Sequence, residues 1–176
     1  MILLSILLIV LFAAGLWLAL SHLGAAADAP WLTAHIASAI AAYVMFAAAV
    51  VCAWMFTQTE RRLRGQLGDA PWIPLLTLER WMFVYMSIGF VLLTLSLVVG
   101  AIAGGVGFVI RPQHKTIFAI ISWLTFAALL LGRWRMGWRG KQAVRMLHWG
   151  AAFLLLSYVG THFVWTVLLK REMGGV

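Results

Sequence analysis

Long apolar runs alternate with short polar breaks along the whole chain. The runs cover residues 2–20, 32–57, 82–103, 116–132 and 147–169. Runs of this length without charges are typical of transmembrane helices, and the period-two alternation of strands is absent. All four prolines fall in the breaks, where a missing N–H costs least. The pattern predicts an all-α, polytopic transmembrane helical bundle of about five spans, forming a single domain over residues 1–176.

Composition narrows the class of protein further. The chain is 64% hydrophobic and 10% charged, with a mean hydropathy of +1.00, which excludes an ordinary soluble domain. No Lys or Arg precedes the first run, and that run is long for a signal peptide, so we expect a retained helix. The single cysteine, Cys52, lies inside an apolar run and is expected to be core filler.

Two helix boundaries can be predicted from local sequence. Thr77 precedes an apolar run and is a plausible N-cap residue for the third span. Glycines at 104, 105 and 107 are expected to end the same helix after residue 103.

The positive charges predict orientation rather than a nucleic-acid partner. The net charge is +8, but the cations flank the apolar runs. The breaks at 58–80 and 133–145 contain four and five Lys or Arg, whereas those at 21–31 and 104–115 contain none and two. The positive-inside rule therefore predicts that the two basic breaks are cytoplasmic. Five spans then predict a cytoplasmic N-terminus and a periplasmic C-terminus in a bacterial inner membrane.

This topology collects most of the histidines near the outer face. His22, His35, His114 and His162 fall on that side, and only His148 falls on the cytoplasmic side. Ionisable groups near a membrane are rare enough to be functional candidates. The alternative without a functional role is that such histidines only hydrogen-bond to lipid headgroups or water.

Neutral imidazole is a good axial ligand for haem iron, and two histidines on facing helices can bind one haem. His35 and His114 are the preferred iron ligands, with His162 in reserve. Arg111 and Lys115 flank His114 and would suit haem propionates. Carboxylates are scarce on this side, which argues against a hydrolase or a carboxylate metal site. We therefore predict non-covalent haem b and no catalytic step by this chain alone.

A glycine- and arginine-rich segment at 132–141 invites a nucleotide-binding interpretation. It follows no strand and lacks the residue order of a phosphate-binding loop. Contact with the lipid surface is the preferred interpretation of this segment.

Five sequence blocks resemble those of a known family. They are 31–36 with Tyr43, 78–80 with 88–95 and Gly100, 114–116 with 122–124, 137–141, and 158–160. In this order and spacing they are similar to the cytochrome c assembly family, that is, the CcsA-like integral membrane proteins and particularly the short YpjD/HemX-like branch.

The resemblance implies haem handling in cytochrome c biogenesis at the outer face. In fuller members, histidines that ligate haem flank a tryptophan-rich motif, and His35 falls on one of those histidines. The segment before Lys115 contains neither the tryptophans nor the aspartate of that motif. Expected partners are the lipid bilayer and either another cytochrome c assembly membrane protein or apocytochrome c.

Two further interpretations stay open at this point. The chain could be a structural or partner subunit of a membrane complex, without a haem site of its own. It could also be a small di-haem electron-transfer cytochrome, although that would need histidine pairs at both faces.

Overall fold

Four helices make up the described part of the chain. The structure, a computed structural model, describes residues 30–65, 74–110 and 114–163, with side chains over 31–65, 74–103 and 116–157. The helices are α1 (Pro30–Arg64), α2 (Leu75–Ile110), α3 (His114–Met136) and α4 (Gly140–Phe163). The all-α prediction is confirmed for these residues, and the predicted span at 2–20 lies outside them.

The helices pack as two antiparallel pairs. The α1–α2 and α3–α4 pairs form the main contacts, and smaller α1–α4 and α2–α3 contacts join them. Three helical segments are long and apolar enough to cross a membrane, namely Trp31–Arg64, Leu75–Ala103 and Thr116–Met136. The prediction of about five spans is therefore supported for three of them.

Two stacked phenylalanines join the helix pairs in the core. The rings of Phe46 on α1 and Phe126 on α3 are fully buried and lie 4.0 Å apart at an angle of 9°. Glycines flank the stack, because Gly89 of α2 faces Phe46 and Gly150 of α4 faces Phe126. A Cβ at position 150 would lie 2.6 Å from Cε1 of Phe126, so only glycine lets α4 approach this closely.

Both predicted boundaries of α2 are wrong. The helix begins at Leu75, and the amides of Thr77 and Leu78 donate to the carbonyl of Pro74, so Thr77 lies inside the first turn rather than at the N-cap. The helix also continues through the glycines to Ile110. Each glycine costs about 1 kcal/mol of helix propensity, whereas unpaired backbone groups in an apolar medium cost several.

A buried ion pair joins α2, α3 and α4 at one end of the bundle. The carboxylate of Glu79 accepts from Nη1 of Arg133 at 3.0 Å and from the amide of Gly140 at 3.4 Å. The Arg133 guanidinium also lies 3.7 Å from the centre of the Phe83 ring. We call this end, with residues 58–65, 74–81 and 133–145, the basic end.

Further contacts order the connection between α3 and α4. Lys141 forms an ion pair with Glu60 of α1 at 3.6 Å. The Trp138 amide donates to the carbonyl of Gly132 at 3.2 Å, and a Cβ at Gly132 would overlap the Trp138 ring. Gly137 and Gly140 have φ of 65° and 60°, a conformation that favours glycine. These contacts confirm that the two basic breaks share one end.

We expect Gly150→Ala to destabilise the protein more than Gly89→Ala. Both gain the same helix propensity, but the new Cβ meets Phe126 at 2.6 Å in one case and Met45 at 3.2 Å in the other. Overpacking at Gly150 should cost about 1–3 kcal/mol. Thermal unfolding midpoints in detergent measure the difference. A lower midpoint for Gly89→Ala would contradict the tight α3–α4 contact.

We also expect Glu79→Gln to lower the unfolding midpoint clearly more than Glu60→Gln. The Glu79 side chain is 8% exposed and its Arg133 partner 31%, so loss of the charge should cost about 1–3 kcal/mol after allowance for solvent near Arg133. Glu60 pairs with the exposed side chains of Arg64 and Lys141, which predicts a cost below about 1 kcal/mol. Equal shifts would show that the buried pair contributes little.

Candidate functional site

The imidazole of His35 is bound to α2 near the end of the bundle opposite the basic end. Its Nδ1 lies 2.8 Å from the carbonyl oxygen of Ser96 and 3.1 Å from the Ser96 hydroxyl. That hydroxyl in turn donates to the carbonyl of His35 at 3.3 Å. Two reciprocal contacts therefore set the position of this ring on a half-buried surface.

Gly100 makes this contact possible. In an α-helix the carbonyl of residue i is shielded by the side chain of residue i+4, and Gly100 is residue i+4 from Ser96. A Cβ at Gly100 would lie 3.0 Å from Cε1 and 3.1 Å from Nδ1 of His35. The absence of a side chain at Gly100 lets the imidazole reach the Ser96 carbonyl, which also accepts a backbone hydrogen bond within α2.

The contact with Ser96 determines which ring nitrogen carries the proton. A carbonyl oxygen can only accept, so Nδ1 of a neutral His35 must be the donor. The lone pair is then on Nε2, which makes no hydrogen bond with any described residue. Metal-ligating histidines commonly have this arrangement, in which the second nitrogen donates to a carbonyl and fixes the tautomer. His35 is therefore arranged to donate a lone pair to a metal or a proton donor.

One imidazole suffices for one axial position of haem iron, since the porphyrin supplies four nitrogens of its own. Within the described side chains, no three His, Cys, Asp or Glu residues lie close enough to form a metal site by themselves. The donor at His35 thus fits haem iron chemically, with any second axial ligand coming from another residue.

The backbone brings three of the other predicted residues to the same end as His35. His114 begins α3 and Lys115 follows it, while His162 lies in the last turn of α4 as described. The antiparallel arrangement places these positions opposite the basic end. Arg111 lies outside the described residues. The structure thus gives contacts for His35 and a helical position for three others.

His148 provides a natural comparison with His35. Its Nδ1 lies 2.7 Å from the carbonyl of Val144 one turn earlier in its own helix. This bond joins no second helix. His148 therefore lacks the interhelical contact that positions His35.

A tryptophan fixes α3 against α2 near the His35 contact. Nε1 of Trp123 donates to Oγ1 of Thr94 at 2.8 Å, and its ring stacks on Phe90 at 5.5 Å. Thr94 lies two residues before Ser96. The segment of α2 that contacts His35 is therefore also tied to α3.

Sequence reasoning missed the roles of Ser96 and Gly100. Neither residue is unusual in an apolar helix, and a serine there normally bonds to its own helix, as Ser87 does with Phe83. The one available signal was that Gly100 belongs to one of the sequence blocks that resemble the family. The pairing of Ser96 with His35 depends on the register between α1 and α2.

The comparisons with known proteins agree on one family. The family described as Cytochrome C assembly protein matches residues 1–169. The inner membrane protein YpjD of Escherichia coli K12 is 31% identical over 139 residues, covering 77% of this chain and 52% of that protein. The cytochrome c biogenesis protein CcsA of Heterosigma akashiwo is 34% identical over 92 residues, covering 51% and 29%.

CcsA of Prochlorococcus marinus, strain MED4, is 40% identical over 81 residues, covering 44% of this chain and 25% of that protein. The match spans about half the length of the YpjD protein. It spans less than a third of the CcsA protein of Heterosigma akashiwo. No solved structure gives a significant match.

We expect His35 to be an Nδ1–H tautomer when neutral, because Nδ1 faces a carbonyl. Nitrogen NMR of ¹⁵N-histidine-labelled protein at alkaline pH measures this, with the signal assigned by its loss in His35→Gln. Gly100→Ala should disturb the tautomer, because its Cβ would contact the ring. Gly89→Ala, the same change on the same helix, should leave it unaltered. An Nε2–H signal for wild-type His35 would contradict the Ser96 contact.

Proposed function

Because the chain belongs to the cytochrome c assembly protein family, we propose that it acts in cytochrome c biogenesis as a multi-pass inner membrane protein that binds haem. Relatives named as an inner membrane protein and as cytochrome c biogenesis proteins support the compartment and the process. Three apolar helices of spanning length support the membrane location.

The observation that carries the haem proposal is the Nδ1 contact of His35. With its proton directed to the Ser96 carbonyl, the neutral ring has its lone pair on Nε2 and needs no rearrangement to ligate iron. Bonding to the carbonyl also makes the imidazole a stronger ligand. Haem, when bound, would supply an iron atom that this nitrogen could ligate.

The remaining residues of the site are part of the same proposal. His114 is our preferred second axial ligand, with His162 as the alternative, because both belong to the end of the bundle that contains His35. Arg111 and Lys115 are proposed to pair with the propionates, since guanidinium and ammonium groups suit carboxylates. None of these residues is assigned a catalytic step.

We further propose that this end of the bundle faces the periplasm. The basic end concentrates the arginines of two breaks, and cytoplasmic loops are rich in Lys and Arg. A haem at the opposite end would then be accessible to apocytochrome c or to another cytochrome c assembly membrane protein.

The test is an absorption spectrum of detergent-purified protein, oxidised and then reduced with dithionite, before and after added hemin. We expect a Soret band with sharp reduced α and β bands in the wild type. His35→Ala should lose these bands or shift them toward a high-spin form, because one axial ligand is removed. His114→Ala and His162→Ala identify which residue supplies the second ligand.

His148→Ala is the matched control. Its Nδ1 also faces a carbonyl, but on its own helix, and it is not among the proposed ligands, so haem content should not change. A bare protein spectrum that is unaffected by hemin would overturn the haem proposal and favour a structural or partner subunit. A His35→Ala spectrum identical to the wild type would remove His35 from the site.

A further inference from the structure

The two helix pairs repeat each other around an approximate twofold axis. α1 and α3 both run toward the basic end and lie diagonally across the bundle, because each packs on both α2 and α4. Phe46 of α1 and Phe126 of α3, which stack on each other, are 80 residues apart in the chain. Gly89 of α2 and Gly150 of α4, which face these two rings, are 61 residues apart. The axis therefore passes through the stack and follows the helices.

The same two offsets relate other residues of the helix pairs. On α1 and α3, the offset of 80 pairs Tyr43 with Trp123. The Tyr43 hydroxyl donates to the Leu154 carbonyl of α4 at 3.5 Å. The Trp123 indole donates to Thr94 of α2 at 2.8 Å, so each bond ties one helix pair to the other. On α2 and α4, the offset of 61 pairs identical residues, namely Gly89 with Gly150, Leu93 with Leu154, Leu95 with Leu156 and Ser96 with Ser157.

Burial along the inward faces of α1 and α3 decreases from the stack toward the end that contains His35. Ala42 and Ser122 lie one turn from the stacked rings and are 1% and 0% exposed. Ala39 and Ala119 lie one turn further along the same two faces, and both are partly exposed. His35, at the next turn of α1, is likewise half-buried. Because these faces point toward the twofold axis, the interior of the bundle widens there into a cleft between α1 and α3.

The two halves of the bundle differ at the open end of this cleft. The offset of 80 makes position 115 the counterpart of His35, and the residue there is lysine. Both positions precede a stacked phenylalanine by about three helical turns, so the backbone places them at the same level on opposite sides of the axis. A ligand on the axis would therefore lie between a histidine position and a lysine position. Haem matches this pair chemically, because its iron takes a nitrogen ligand and its propionates take a cation.

We propose that the haem binds inside the bundle, in this cleft on the twofold axis, and that Ala39 and Ala119 are the walls that limit the size of the ligand. The identity of the ligand rests on the proposed function, whereas its place rests on the packing of α1 and α3. Alanine on both sides keeps the axis free of side-chain atoms beyond Cβ, so a flat macrocycle can enter between the helices. A larger side chain at either position would occupy that space.

Thiol labelling of the protein in lipid nanodiscs tests whether the cleft exists. Ala39→Cys and Ala119→Cys are treated with a charged maleimide, and the wild type, whose Cys52 is buried, gives the background rate. Ile120→Cys is the matched control, because Ile120 adjoins Ala119 at the same depth and is 41% exposed on the lipid-facing surface of α3. We expect both cleft cysteines to react at least about tenfold faster than the control, because a thiol surrounded by lipid does not ionise.

Hemin then tests what occupies the cleft. At a free concentration of about ten times its Kd, hemin should slow the labelling of both cleft cysteines about tenfold, because it leaves few sites empty. Ala39→Phe and Ala119→Phe should weaken hemin binding about tenfold, since each overfills the cleft. Ala47→Phe and Ala128→Phe make the same change at exposed positions of the same helices and should weaken it less than about threefold. If the cleft variants do not fold, Ala39→Val and Ala119→Val carry this comparison.

The possible failures are distinguishable from one another. Equal labelling rates at positions 119 and 120 would overturn the cleft itself. Hemin that gives a His35-dependent spectrum but protects neither cleft cysteine would overturn the interior placement and leave the proposed function in place. Equal hemin affinity of the cleft variants and the exposed controls would remove the two alanines as walls. A wild type that binds no hemin would overturn the proposed function and, with it, the placement of haem.

Discussion

The stack of Phe46 on Phe126 is the contact on which the rest of the bundle depends. Between helices in a membrane there is little hydrophobic driving force, so close packing of surfaces must supply the stability. Gly89 and Gly150 allow all four described helices to meet at this one level. The stack joins the two helix pairs, and the close contact of Gly89 with Phe46 ties the same level to the α1–α2 packing on which His35 depends.

The two ends of the bundle use polar groups differently. At the basic end, Glu79 satisfies an arginine and the first amide of α4 with one buried carboxylate oxygen. At the other end, His35 and Ser96 bond to each other's backbone carbonyls and leave one imidazole nitrogen without a partner in the described residues. At the basic end, these polar atoms all bond to one another and join helices. At the other end, the Nε2 lone pair of His35 stays available to a ligand.

Periodicity and charge were sufficient to predict helices, their order and the shared end of the two basic breaks, because these follow from residue spacing alone. The boundaries of α2 could not be predicted in this way. Thr77 and the glycines locally favour a helix end, but the need for paired backbone groups overrides that preference. His35 was singled out from the sequence as a candidate ligand. Ser96 and Gly100 were not, because their roles arise from helix register and from a carbonyl that only glycine exposes.

Gly100 illustrates how a small residue can determine the chemistry of a large one. A Cβ at this position would lie 3.0 Å from Cε1 of His35, so the ring would have to move a few tenths of an ångström from its place against the Ser96 carbonyl. The hydrogen bond from Nδ1 would weaken, and with it the preference for the proton on Nδ1. A glycine on α2 therefore favours one tautomer of a neutral histidine on α1, although glycine has no polar side chain. Ligand strength at His35 is, in this sense, a consequence of how closely two helices pack.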